Sequence, residues 1–104
     1  MDKEDVVYKF VRAVPPGKVV TYGQVAGLAE GVRLTARQVG HIMTTCPPDV
    51  PWHRVVGAGG TLPIGKRNPE FERIQRLRLK DEGVRFRDNG CVDMALSQMQ
   101  PWVP

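Results

Sequence analysis

The sequence predicts a mainly α fold with a small β element, built around a helix-turn-helix in the manner of a winged helix. Three observations predict it. Two short helices with matching start signals, Thr21-x-x-Gln24 and Thr35-x-x-Gln38, flank a glycine-containing connection, a spacing that an ordinary helical hairpin in a core fits as well. Apolar residues recur at helical spacing in the opening segment and again near residue 70. Extended runs are brief, such as Lys18-Val19-Val20 and Val84-Arg85-Phe86. At 104 residues the chain is expected to be a single domain, 1–104, able to bury one core without disulfides.

Residues 3–14 read as the first helix. Val6, Val7, Phe10, Val11 and Val14 fall on one face, and Glu4 and Asp5 lie in the first turn, where the helix dipole favours them. Pro15-Pro16-Gly17 ends it, and Lys18-Val19-Val20 reads as an extended link. The next helix buries Val25, Ala26, Leu28 and Ala29. After the connection Glu30-Gly31-Val32-Arg33-Leu34, another buries Val39, Ile42 and Met43. In each, the Thr hydroxyl can accept an orphan backbone N–H while the Gln reaches back to the cap. On the exposed face, Ala36 and Gly40 are small and leave Arg37 free to project. Residues 57–66 read as loop with a short hairpin or wing. Asn68-Pro69 starts the last long helix, with Phe71, Ile74 and Leu77 on one face and Arg73, Arg76, Arg78 and Lys80 around the rest. Gly83 is its left-handed stop. The tail, with Leu96, Met99 and Trp102, packs on the body or frays.

Fifteen basic residues against eleven acidic give a net charge of +4, which leans toward an anionic partner. No apolar run is long enough to cross a membrane, and the charged opening Met1-Asp2-Lys3-Glu4-Asp5 has no secretory pattern. A cytoplasmic protein is expected, nucleoid-associated in a bacterial cell. Cys46 and Cys91 are too few for a disulfide framework. With only His41 and His53 besides, they lack metal-ligand spacing. No metal or cofactor is expected, and both thiols read as small buried hydrophobes.

The most unusual stretch is Pro51-Trp52-His53-Arg54. It follows Cys46-Pro47-Pro48-Asp49-Val50 and leads through Val55-Val56 into Gly57-Ala58-Gly59-Gly60. The prolines restrain the backbone and hold an aromatic, a titratable ring and a guanidinium side by side. Pro51-Trp52-His53-Arg54-Val55-Val56 resembles the Pro-Cys-His-Arg-Val-Val stretch of the O6-alkylguanine-DNA alkyltransferases, with Trp52 where their reactive cysteine stands. Thr21-Tyr22, Ala36-Arg37-Gln38-Val39-Gly40 and Glu82-Gly83 match further family motifs in the same order. The resemblance runs over about residues 4 to 87 and is to the alkyltransferase-like members of the family.

That resemblance implies the fold of the alkyltransferase C-terminal DNA-binding domain, and a set of roles. Arg37 is similar to the arginine finger that enters the duplex through the minor groove and fills the gap left by an extruded nucleotide. Unstacking a base costs a few kcal/mol, so something must hold that gap open. Tyr22 is similar to the tyrosine that crowds the neighbouring phosphate. Thr35, Ala36 and Gly40 would complete the DNA-binding surface. Met43, Trp52, Val55 and Leu62 would line the pocket for the base, with Arg67 a cation over it. His53 and Glu82 resemble two members of the family's Cys-His-Glu relay and would frame the pocket. An indole has an N–H donor and no usable lone pair, so Trp52 cannot be the nucleophile. There are departures as well. Cys46-Pro47 stands where the enzymes have Asn-Pro, the lid at residues 62–67 lacks their Gly/Tyr/Ser-rich pattern, and a counterpart of their N-terminal domain is not expected.

The expectation is therefore a non-enzymatic sensor, with no catalytic residue. It binds double-stranded DNA carrying O6-alkylguanine, flips the base, and passes the site to nucleotide excision repair proteins; a monomer is expected. Two other readings stay open on the sequence. One is an active alkyltransferase using Cys46. The other is a generic helix-turn-helix regulator reading the major groove, which the shortage of base-reading side chains beside Arg37 disfavours.

Overall fold

The computed structural model describes residues 2–29 and 32–100. Helix α1 (Lys3–Arg12) is capped by Asp2, whose Oδ1 accepts the Asp5 N–H at 2.9 Å. Its inward face is Val7, Tyr8 and Val11, and it stops two residues short of expectation with Ala13 as its C-cap. Val14, just beyond, is still buried.

Both predicted capping boxes form. Thr21 Oγ1 accepts from Gln24 N–H at 3.0 Å, and Gln24 Oε1 accepts from Thr21 N–H at 2.9 Å, which starts α2 (Tyr22–Leu28). Thr35 and Gln38 do the same at 3.1 and 2.8 Å to start α3 (Ala36–Met43). Each box satisfies two backbone donors that a helix start otherwise leaves open. Val25, Ala29, Val39, Ile42 and Met43 are buried as expected, with Ala26 and Leu28 half-buried. Glu30 and Gly31 of the connection lie outside the described residues, as does Trp102 of the tail.

Lys18-Val19-Val20 is more than a link. Strand β1 (Val20–Thr21) pairs in parallel with β2 (Val55–Val56), Val20 opposite Val55 and Thr21 opposite Val56. Neighbouring residues on a strand face opposite ways. Val20 and Val55 accordingly enter one core cluster, with α1, α2 and α3. Val19 and Val56 enter a second, with Leu62, Leu79, Val84 and Val92. Each of these fully buried valines contributes about 2 kcal/mol of hydrophobic stabilisation. The tail packs on the other side of β1. After α5 (Met94–Ser97), Met99 N–H donates to Val19 O at 2.9 Å, and Gln24 Nε2 donates to Met99 O at 2.9 Å.

Residues 57–66 form two 3-10 turns, Ala58–Gly60 and Pro63–Lys66. Val84-Arg85-Phe86, expected as a strand, contributes a single bridge between Phe86 and Val92. Helix α4 (Pro69–Asp81) starts where predicted, with Asn68 Oδ1 accepting the Glu70 N–H at 3.0 Å and Pro69 at its first position. Gly83, at φ 86°, follows it. Its predicted core face is wrong. Phe71 and Leu77 are 46% and 50% exposed, and the buried side chains are Gln75 and Leu79. The amide of Gln75 explains the rotation: its Nε2 donates to His53 O at 3.2 Å and Val55 O at 3.0 Å. A polar side chain with two buried acceptors can hold a core position that apolar spacing assigns elsewhere.

Candidate nucleic-acid interface

The two capped helices, a 3-10 turn at Trp52–Arg54 and the two turns of residues 57–66 meet around a cleft of about 390 Å³. Tyr22 reaches it from the first position of α2, fixed by the Thr21 cap one residue earlier. Ala36, Arg37, Gly40 and Met43 line it from α3. A Cβ added at Gly40 would meet nothing within 4 Å, so this part of α3 stands open to the cleft. Trp52 closes one wall, and Arg67 lies at the end of the Pro63–Lys66 turn.

Seven of the expected site residues thus come together here. Five others do not line the cleft. Thr35 acts through its cap on α3. Val55 is fully buried in the first core cluster and Leu62 lies in the second, so these two of the four expected pocket-lining residues instead fill the core. His53 and Glu82 stand next to Trp52 as a frame. The His53 and Trp52 rings meet at right angles with centroids 6.3 Å apart.

That frame is tighter than a two-residue relay. His53 Nε2 is 2.7 Å from Glu82 Oε2. Arg54 donates to Glu82 through Nε and Nη2, and through Nη1 to Val14 O at 2.9 Å. The Gly17 N–H donates to Glu82 Oε1 at 3.1 Å. Glu82 therefore ties the end of α4 to the Trp52–Arg54 turn and to the segment after α1. Burial opposes its charge, but Arg54, His53 and Gly17 together hold its pKa down at about 2. Burial pushes the His53 ring below its ordinary value against the pull of Glu82, which keeps it neutral at pH 7. With Nε2–H donating to the carboxylate, Nδ1 is left as a buried acceptor with no partner among the described residues.

Burial also raises the Tyr22 phenol, opposed by the Arg67 guanidinium, so Tyr22 presents a neutral O–H. Cys46 is half-buried against the first core cluster and does not line the cleft. Burial pushes its thiol pKa up, away from the thiolate that nucleophilic chemistry requires. The cleft thus offers an aromatic wall, a phenol and two guanidiniums. That set suits a flat aromatic group beside an anionic backbone.

Other lining residues were not expected. His41 on α3 and Thr44 at its C-cap follow Arg37 at four and seven positions, a spacing that places them on the same face. Pro63 and Ile64 reach the cleft only because their turn packs against α4, which no local pattern reveals.

Residues 2–84 match the 6-O-methylguanine DNA methyltransferase, DNA binding domain, family. The chain is 42% identical over 100 residues to a DNA base-flipping protein of Escherichia coli, a match covering 90% of this chain and 74% of that one. It is 46% identical over 81 residues to alkyltransferase-like protein 1 of Schizosaccharomyces pombe, covering 75% and 72%. Among solved structures it is similar to S. pombe Atl1 in complex with damaged DNA containing O6-carboxymethylguanine. The TM-score is 0.77 at 36% identity, with 94% of each chain covered.

Proposed function

The chain belongs to the family of the 6-O-methylguanine DNA methyltransferase DNA-binding domain, and from that premise we propose that it is a DNA damage sensor that does not repair. It binds double-stranded DNA containing O6-alkylguanine, rotates the altered nucleotide into the cleft, and holds it for nucleotide excision repair proteins. The similarity to a base-flipping protein and to a structure bound to O6-carboxymethylguanine DNA supports the lesion class. The observation that carries the reading is Trp52. It walls the cleft with His53 and Glu82 hydrogen-bonded behind it, and by the motif resemblance it takes the place of the family's reactive cysteine.

Each residue has a physical task in this scheme. Arg37 projects from a part of α3 kept low by Ala36 and Gly40, and fills the stack left by the flipped base. Tyr22 presses on the flanking phosphate. Met43 and Trp52 cover the base, and Arg67 supplies a cation near its face. Cys46 as an alternative acceptor has its place outside the cleft and its raised pKa against it. The test is intact-protein mass after incubation with a duplex carrying O6-methylguanine. Unchanged mass in a sample that retains the lesion duplex is expected, and a gain of one methyl group would overturn the non-enzymatic reading.

A further inference from the structure

Helix α4 has apolar residues on two sides. Leu79 points into the core beside Gln75. Phe71, Ile74 and Leu77 follow one another at three-residue spacing down the outer side, with Phe71 46% and Leu77 50% exposed. A helix that packs against one core needs one apolar face. A second contiguous stripe facing solvent is the mark of a contact surface.

The stripe is joined to the cleft. The Phe71 ring meets the Trp52 ring edge to face, with centroids 6.1 Å apart, and the Arg78 guanidinium lies 5.5 Å from the Trp52 centroid. The same indole lines the cleft. Trp52 is thus a shared wall, with the base site on one side and the outer face of α4 on the other.

Charge points to what covers this face. Between Lys66 and Arg87 there are eight basic residues against four acidic, while the rest of the chain has seven of each. The whole excess of +4 therefore lies on α4 and its flanks. Three of the four carboxylates are already engaged, Glu82 by Arg54 and His53, Glu70 by Arg73 and Glu72 by Arg76. A second copy of the chain would bring the same positive charge. A duplex would meet the charge but offer little to an apolar stripe of Phe, Ile and Leu. An amphipathic protein segment, apolar on one side and acidic beside it, satisfies both features.

We infer that Phe71, Ile74, Leu77 and Arg78 form the docking face for an acidic amphipathic segment of a partner protein, and that Trp52 couples this face to occupancy of the cleft. The inference takes its partner class, excision-repair proteins, from the proposed function. A base that repositions Trp52 changes partner affinity, and by linkage the partner changes lesion affinity by the same factor.

The experiment titrates the purified damage-recognition proteins of nucleotide excision repair against the full-length protein on a duplex with or without O6-methylguanine. Leu77→Glu puts a carboxylate into the stripe at a position with no ring contact to Trp52. It is expected to weaken capture at least tenfold, with lesion affinity and Tm unchanged. Phe71→Ala removes both a part of the face and the ring that touches Trp52, and is expected to weaken capture and to remove its dependence on the lesion. Capture of Leu77→Glu at the wild-type level overturns the docking face and leaves the sensor reading standing. Parallel loss of lesion affinity in Leu77→Glu makes this face a DNA contact and also overturns it. If wild-type protein is captured by none of the repair proteins, both the docking face and the handover fail, while lesion binding is judged separately from the same titration.

Discussion

Nε2 of His53 lies 2.7 Å from Oε2 of Glu82, and the same carboxylate oxygen accepts from Arg54 Nη2 at 2.8 Å. One acid residue thereby joins three segments far apart in sequence. In a chain read as lacking a nucleophile, this arrangement serves to hold the Trp52–Arg54 turn, and with it the cleft wall.

The pH dependence of stability follows from this cluster. The folded pKa of Glu82, about 2, lies below the unfolded value of about 4.3. As pH falls, the unfolded chain takes up the proton first, so the stability from Glu82 is complete above about pH 5 and is lost as pH falls toward about 2. His53 is also depressed, by burial, and removes a further part of the stability as pH drops below about 6.5. Urea unfolding from pH 8 to pH 2 should show both limbs. Glu82→Gln should flatten the lower one and cost about 3 kcal/mol at pH 7, because Arg54 loses its buried partner.

Arg37→Ala should separate lesion recognition from general DNA binding. Arg37 is exposed, so its removal leaves the fold intact. Loss of a group that stabilises the extruded state by about 2–3 kcal/mol weakens O6-methylguanine binding on the order of 100-fold. Fluorescence anisotropy with lesion and undamaged duplexes measures both affinities, and the undamaged one should change several-fold at most.

Gln75→Ala should be a stability variant. Its amide is 1% exposed and donates to the carbonyls of His53 and Val55. Truncation leaves two buried acceptors unpaired and a cavity beside them, at a cost of about 3 kcal/mol. Denaturant unfolding at pH 7 reads this directly.

Two neighbouring glycines should respond differently to alanine. Gly59 and Gly60 both have positive φ, 73° and 89°. A Cβ at Gly59 meets nothing within 4 Å, so Gly59→Ala carries only the backbone strain, about 1 kcal/mol. A Cβ at Gly60 would run into the backbone carbonyl of Val92, so Gly60→Ala should cost more than about 2 kcal/mol and lower Tm clearly further.

These contrasts show which features were legible in the sequence. Both capping boxes, the Asn68-Pro69 start and the Gly83 stop are decided by a few adjacent residues, and all four stand where read. The resemblance around Pro51-Trp52-His53-Arg54 located the cleft wall and the His53–Glu82 contact. What could not be read depends on residues distant in sequence. The β1–β2 pairing needs Val20 to meet Val55. The orientation of α4 is set by two carbonyls outside the helix, so Phe71, Ile74 and Leu77 looked like a core face and are largely an outer one. The family resemblance made Val55 and Leu62 pocket candidates, but the folded chain uses both to fill its core.

The central claim, lesion binding without transfer, is tested most directly by titrating the protein with two short duplexes that differ only in O6-methylguanine for guanine, followed by intact mass. Tighter binding to the lesion by at least tenfold, with unchanged mass, is the predicted result. Equal affinity for the two duplexes, or a mass gain of one methyl, would contradict it.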